Sequence, residues 1–180
     1  MSFDIRKYNF NEAERGVTDF GKLSEADRSR LLHAGIEVSD RGRSGTFMHM
    51  NHDPASCHSN HEGLELLDIK QALRLYDDLP EYYWKAVNRD QDEVTRSAAE
   101  NLHGGYFIRV RKGVKIAEPV QSCLFIQGNG VGQNVHNIVA VEEGAEWSVI
   151  SGCAPPEGTA DAAPLGIPEV SRGKAGHVPP

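Results

Sequence analysis

Apolar positions recur with a helical period over the first hundred residues and with a period of two over the next fifty. Ser24 opens the first helical stretch: its hydroxyl suits a free backbone N–H, Asp27 supports the first turn, Leu31 and Leu32 supply an apolar edge, and Gly35 ends it. Asp68 precedes Ile69, Ala72, Leu73 and Tyr76, one face of a second helix. Pro80 opens a third segment with Tyr83, Trp84 and Val87, and Asp92 caps a fourth through Val94, Ala98 and Leu102. Tyr106 to Arg111, Val120 to Ile126, Val135 to Val141 and Trp147 to Ile150 then read as short strands. Gly128-Asn129-Gly130 and Glu142-Glu143-Gly144 supply turn chemistry between them. Such strands fit a sandwich, a barrel or a β-solenoid.

Composition changes at the same place. Residues 1–100 hold 13 Lys and Arg against 19 Asp and Glu, whereas residues 101–180 hold 6 against 7; Gly rises from 6 to 12. Charged, Gly-poor sequence favours helices, and Gly-punctuated sequence favours strands and turns. The expected organisation is α+β: a helical region at 1–102, a β region at 103–154 and a loop-rich, truncated tail at 155–180. The net charge of −7 argues against a general nucleic-acid binder. No apolar run approaches the ~18 residues of a membrane span, and the N-terminal stretch lacks the apolar core of a secretory signal. Three cysteines do not make a disulfide framework and suit a reducing, cytoplasmic setting.

The densest chemistry lies in Met48-His49-Met50-Asn51-His52-Asp53-Pro54-Ala55-Ser56-Cys57-His58-Ser59-Asn60-His61-Glu62. Imidazole with thiolate suits a zinc or iron ion. Cys57 with His61 and His58 with His61 have the spacings of one helical turn, which makes Cys57, His58 and His61 a candidate metal site. A solvated polar loop is the commoner use of such a run. Cys123 and Cys153 fall in or beside strands. Each reads as a small buried apolar residue or as a thiolate that holds sulfur or iron. His136 alternates out of phase with Val135 and points the opposite way. No phosphate-binding loop of the Gly-x-x-x-x-Gly-Lys-Ser/Thr type and no Gly-x-Ser-x-Gly elbow is present, and Gly128 to Gly132 reads as a turn, so no bound nucleotide is expected.

Several ordered segments resemble one family. His103-Gly104-Gly105-Tyr106-Phe107-Ile108-Arg109-Val110, Lys112-Gly113-Val114 and Pro119-Val120-Gln121-Ser122-Cys123 look like the opening of the SufB/SufD core. Gln133-Asn134-Val135-His136-Asn137-Ile138-Val139, Val141-Glu142-Glu143-Gly144-Ala145, Ser151-Gly152-Cys153-Ala154 and Leu165-Gly166-Ile167-Pro168-Glu169 continue the likeness. Upstream, Glu62-Gly63-Leu64-Glu65-Leu66 and Gln71-Ala72-Leu73 resemble the helical head of shorter, archaeal-type SufB-like members. The resemblance covers roughly residues 24–170 and implies a right-handed parallel β-helix core. It also implies a non-catalytic scaffold of cytosolic iron–sulfur cluster assembly, holding a cluster transiently and working with a SufC-type ATPase and a SufB/SufD-like partner. Cys123, His136 and Cys153 occupy matching positions and are the candidates for cluster or sulfur handling. The alternative is a small metal-binding or metalloenzyme domain centred on Cys57, His58 and His61. Family members continue beyond the point that corresponds to Pro180. The last coil is therefore expected to expose Val141, Trp147 and Val149 and to self-associate or recruit a partner.

Overall fold

The computed structural model describes residues 3–11, 20–153, 155–156, 158–159 and 161–173. Its α-helices are α1 (Glu25–His33), α2 (Ile69–Leu75) and α3 (Glu93–Glu100). Each starts at its expected cap. The Ser24 hydroxyl accepts from the Asp27 N–H, the Asp68 carboxylate accepts from the Lys70 and Gln71 N–H groups, and Asp92 and Thr95 form a reciprocal capping box. The third expected helix is replaced by a single 3₁₀ turn at Leu79–Glu81. Trp84, with φ 56, has left the right-handed region, so Tyr83, Trp84 and Val87 belong to an irregular strap.

Eight strands follow the order β1 (Gly45–Met50), β2 (Asp53–Ser59), β3 (Leu64–Asp68), β4 (Tyr106–Val110), β5 (Val120–Phe125), β6 (Val131–Val141), β7 (Val149–Cys153) and β8 (Ala162–Arg172). They build two mixed sheets, β2-β1-β5-β7 and β3-β4-β6-β8. From β4 onward the chain alternates between the sheets, and β6, β7 and β8 each lie parallel to the strand two steps earlier. The step is nearly constant. Phe107 stands beside Ile138 and Val131 beside Ala162, 31 positions apart in each case, and Val120 stands beside Val149, 29 apart. Corners repeat with the strands: Gly113 and Gly144 share φ values of 71 and 72, and the ion pairs Lys112–Glu143 and Lys115–Glu146 bridge successive corners at 2.7 Å. At the other end β2 and β3 pair antiparallel to their neighbours and close the parallel stack.

Two expectations are corrected. The region 1–102 is not purely helical, since it carries β1, β2 and β3. β1 is buried along its whole length, so it shows no alternation, and β2 is polar enough to read as a loop. The region 155–180 is not only loop, because residues 162–172 form β8. Its Pro164 and Pro168 read as strand breakers, but β8 is an edge strand. Gly173 donates to the Val141 carbonyl, so odd-numbered positions face β6 and both prolines turn toward the open edge. Val141 and Trp147 are consequently buried, at 2% and 4% exposure, and Val149 is exposed at 36%. Residues 174–180 lie outside the described residues.

The core has three layers. Between the sheets lie Phe47, Leu66, Ile108, Val120, Val139 and Trp147. Met48, Met50, Cys123 and Phe125 cover the opposite face of β1 and β5 and receive Leu31 of α1 and Ile36. Phe107, Ile138 and Ala140 on the outer face of the other sheet receive Ile69 and Ala72 of α2 and Leu79. Full burial of such side chains stabilises by about 1.5–3 kcal/mol each.

The adjacent glycines before β4 set how closely the layers meet. A Cβ at Gly105, whose φ is 131, would overlap the backbone of His136, and one at Gly104 would overlap the His49 ring. Gly105→Ala is therefore expected to cost about 1–3 kcal/mol. Urea titration checks this, and an unchanged midpoint would mean that β4 can shift away from β6.

Candidate functional site

Two clusters of deeply buried polar side chains are built around β6. The first joins His136 to Glu169. Neighbouring positions on β6 face opposite ways, so His136 and Ile138 lie under the strap while Val135 and Val139 turn inward. His136 is fully buried and its Nε2 lies 2.6 Å from Glu169 Oε1. The Glu169 carboxylate also accepts from the backbone N–H groups of Trp84, Lys85, Ala86 and Val87, at 2.6, 2.8, 2.6 and 3.1 Å. The Tyr83 ring stacks on the imidazole at 4.6 Å between centroids and the Trp84 ring meets it edge-on at 4.3 Å.

The charge state follows from these contacts. Burial holds the His136 pKa below the ordinary value despite the adjacent carboxylate. Burial works against ionisation of Glu169, but the N–H groups of Ala86, Val87 and Trp84, with His136, outweigh it and lower its pKa. The pair is thus a neutral imidazole whose Nε2–H donates to a carboxylate, and His136 Nδ1 has no partner among the described residues. A cavity of about 270 Å³ opens beside it, lined by Tyr82, Lys85, Ile138, Glu169 and Val170 among others.

The second cluster holds His49, Gln133, His52 and His103. The Gln133 amide nitrogen donates to His49 Nδ1 at 3.0 Å and to the Asn51 carbonyl. His52 and His103 stack at 3.6 Å; their Nε2 atoms lie 2.8 Å from the Gly132 and Phe10 carbonyls. Burial first, and then neighbouring His103, pushes the His49 pKa down to about 3. Burial and neighbouring His52 push the His103 pKa down to about 4.

The structure separates the residues singled out in the sequence. Cys123 is fully buried under α1, on the opposite side of the two-sheet stack from His136. Burial and nearby Cys153 push its thiol up to about 12. Cys153 ends the edge strand β7 and is the exposed cysteine of the three. Cys57, His58 and His61 do not share a helical turn. Cys57 and His58 are successive residues of β2 and face opposite sides, and His61 lies beyond its end. Cys57 packs toward the inner core, with its thiol pushed up to about 12, first by burial and then by Asp68. His58 binds Asp40 instead. Among the described residues no three His, Cys, Asp or Glu side chains come together as a metal site. Glu169 stood in a recognised segment without a role. Its 33-residue separation from His136 signals a partner only once the 31-residue step is known.

The chain has counterparts in sequence among known proteins. No protein-family model matches the chain. An iron–sulfur cluster assembly SufBD family protein of Archaeoglobus fulgidus is 42% identical over 142 residues, 79% of this chain and 38% of that protein. A protein of the same description from Methanothermobacter thermautotrophicus is 34% identical over 172 residues, 92% of this chain and 42% of its own length. The iron–sulfur cluster assembly protein SufB of Bacillus subtilis is 25% identical over 185 residues, 98% and 39% respectively. The chain is therefore homologous to the SufBD family, and it spans about two fifths of the length of these relatives.

The buried clusters set the acid limit of the fold. His49, His103 and His136 all have lowered folded pKa values, so the unfolded chain takes up protons first. The stability they confer is complete above the unfolded value of about 6.5 and drains as pH falls toward the folded values. Glu169, also lowered, adds stability above about pH 4.3 that is lost through its own folded value. Urea midpoints are expected to fall between pH 7 and pH 5. Glu169→Gln should lose about 2–4 kcal/mol at pH 7 and shift Trp84 emission. A flat pH profile would show that the histidines reach water.

Proposed function

We propose that the chain is a SufB-like scaffold component of iron–sulfur cluster assembly, cytoplasmic and without turnover of its own. It works with a SufC-type ATPase, binds no nucleotide itself and pairs with a SufB/SufD-like protein or a second copy. The iron–sulfur cluster is cargo, held transiently. Nucleic acid and membrane are not partners, and no helix among the described residues is long and apolar enough to cross a membrane. The observation that carries this reading is the homology over 79–98% of the chain to proteins named for that assembly.

The geometry supports the same reading. Strands that alternate between two sheets and stack in parallel at steps of 31 and 29 form, on this proposal, the first coils of a right-handed parallel β-helix. Such a stack holds its surfaces in fixed register, as a scaffold requires. Within the proposed sulfur-handling set, Cys153 is the accessible thiol, and Cys123 and His136 act from within the fold to hold β5 and β6 in place.

The test is anaerobic co-expression with a SufC-type ATPase and a SufB/SufD-like partner, followed by capture of the chain and assay of iron and acid-labile sulfide. Co-purification of a partner with bound sulfide, and loss of sulfide on Cys153→Ser, is the expected result. Capture of the chain alone, without sulfide, would overturn the scaffold reading.

A further inference from the structure

We propose that Ser56, His58 and Asp40 form a nucleophilic triad, a site independent of the scaffold role that acts on small carboxylic esters through an acyl-serine. Ser56 Oγ lies 3.1 Å from His58 Nδ1, and His58 Nε2 lies 2.9 Å from Asp40 Oδ2. A carboxylate only accepts, so Nε2 carries the ring proton, and Nδ1 of the neutral ring accepts from the Ser56 hydroxyl. A nucleophile held by a base that a third group orients is the arrangement that activates serine.

A serine beside a histidine on one strand is common, and three further observations raise this set above that. First, Asp40 is fixed independently of His58. Its other oxygen accepts from the Thr46 hydroxyl and from the Gln121 amide, at 3.1 Å for the latter, and its φ of 59 is one that Asp tolerates. Gln121 is itself fully buried and held by the Glu37 backbone at 2.9 and 2.8 Å. Second, the site is reachable: the His58 and Asp40 side chains are 39% and 31% exposed. Third, β2 is an edge strand with a bulge opposite Met48 and His49, next to Ser56. Asn60 donates to the Ser44 carbonyl, which places Cys57 and Phe47 in a non-hydrogen-bonded pair. The Cys57 N–H, directly after the serine, therefore faces the open edge, where a developing oxyanion is stabilised. The Cys57 side chain turns inward, so its thiol does not compete.

The chemistry balances with water as the second reactant. Ser56 Oγ bonds to the ester carbonyl carbon as its proton passes to His58 Nδ1, and the carbonyl electron pair moves onto oxygen. Collapse of that intermediate breaks the carbon–oxygen bond to the alkoxide, which takes the proton from Nδ1. Water then attacks the acyl-serine by the same route, releasing the carboxylic acid and restoring Ser56. Asp40 is a positioning residue that holds the imidazole and balances its transient positive charge.

The experiment treats the whole chain with a fluorophosphonate probe and maps the adduct by mass spectrometry, with p-nitrophenyl acetate as the turnover substrate. One adduct on Ser56 is expected, with loss of both adduct and hydrolysis in Ser56→Ala while the urea midpoint stays put. Asp40→Asn should slow adduct formation about 100-fold without changing the probe concentration for half-saturation, a split that a purely structural role does not give. An adduct elsewhere, no adduct, hydrolysis that survives Ser56→Ala, or an Asp40→Asn rate equal to the parent overturns the proposal.

Discussion

Parallel pairing at a 31-residue step in the β3-β4-β6-β8 sheet is the constraint on which the rest of this structure depends. β6 pairs with β4 on one edge and with β8 on the other, so a one-residue slip on either side would exchange its buried faces. The inner face presents Val139 and Val141 to the opposite sheet; the outer face presents His136, Ile138 and Ala140 to α2 and the strap. Strands buried on both faces tolerate no such exchange. The corner ion pairs Lys112–Glu143 and Lys115–Glu146 agree with that register, but they are exposed and add little to its stability.

A fully apolar β6 would pack with less desolvation cost. The chain instead buries Gln133, Asn134 and His136 along this strand. Each makes a bond across elements: Gln133 to His49 on β1, Asn134 to Ser97 on α3, and His136 to Glu169 on β8. Buried polar groups are costly when unpaired, so these bonds discriminate against other packings. Glu169 reaches furthest. By accepting from four consecutive N–H groups it supplies the strap with bonds that a helix would have provided, and it stabilises a backbone in which Trp84 has a positive φ. The strap is thus tied to a strand more than eighty residues away along the chain.

Local signals were legible in the sequence and long-range ones were not. Ser24, Asp68 and Asp92 mark their helices because capping is decided within four residues. β4 and β5 follow from their apolar runs. β1 escaped because burial on both faces erases alternation, and the Cys57–His61 segment misled because spacing along a chain suggests a helical turn as readily as a strand. β8 was hidden by Pro164 and Pro168, which are compatible with a strand only on an open edge. His136 was visible as a residue out of phase with its apolar neighbours. Glu169 as its partner was not, since only the step between the paired strands β6 and β8 brings them together.

The His136–Glu169 clasp joins the irregular strap and the stacked strands into one cooperative unit. Native-state hydrogen exchange of the Trp84, Lys85, Ala86 and Val87 amides tests it most directly, since each of them donates to Glu169. These amides are predicted to open with the same free energy as the amides in the middle of β6, and so to exchange only through global unfolding. Exchange of the strap amides at a rate independent of β6, through a local opening of much lower free energy, would contradict the account.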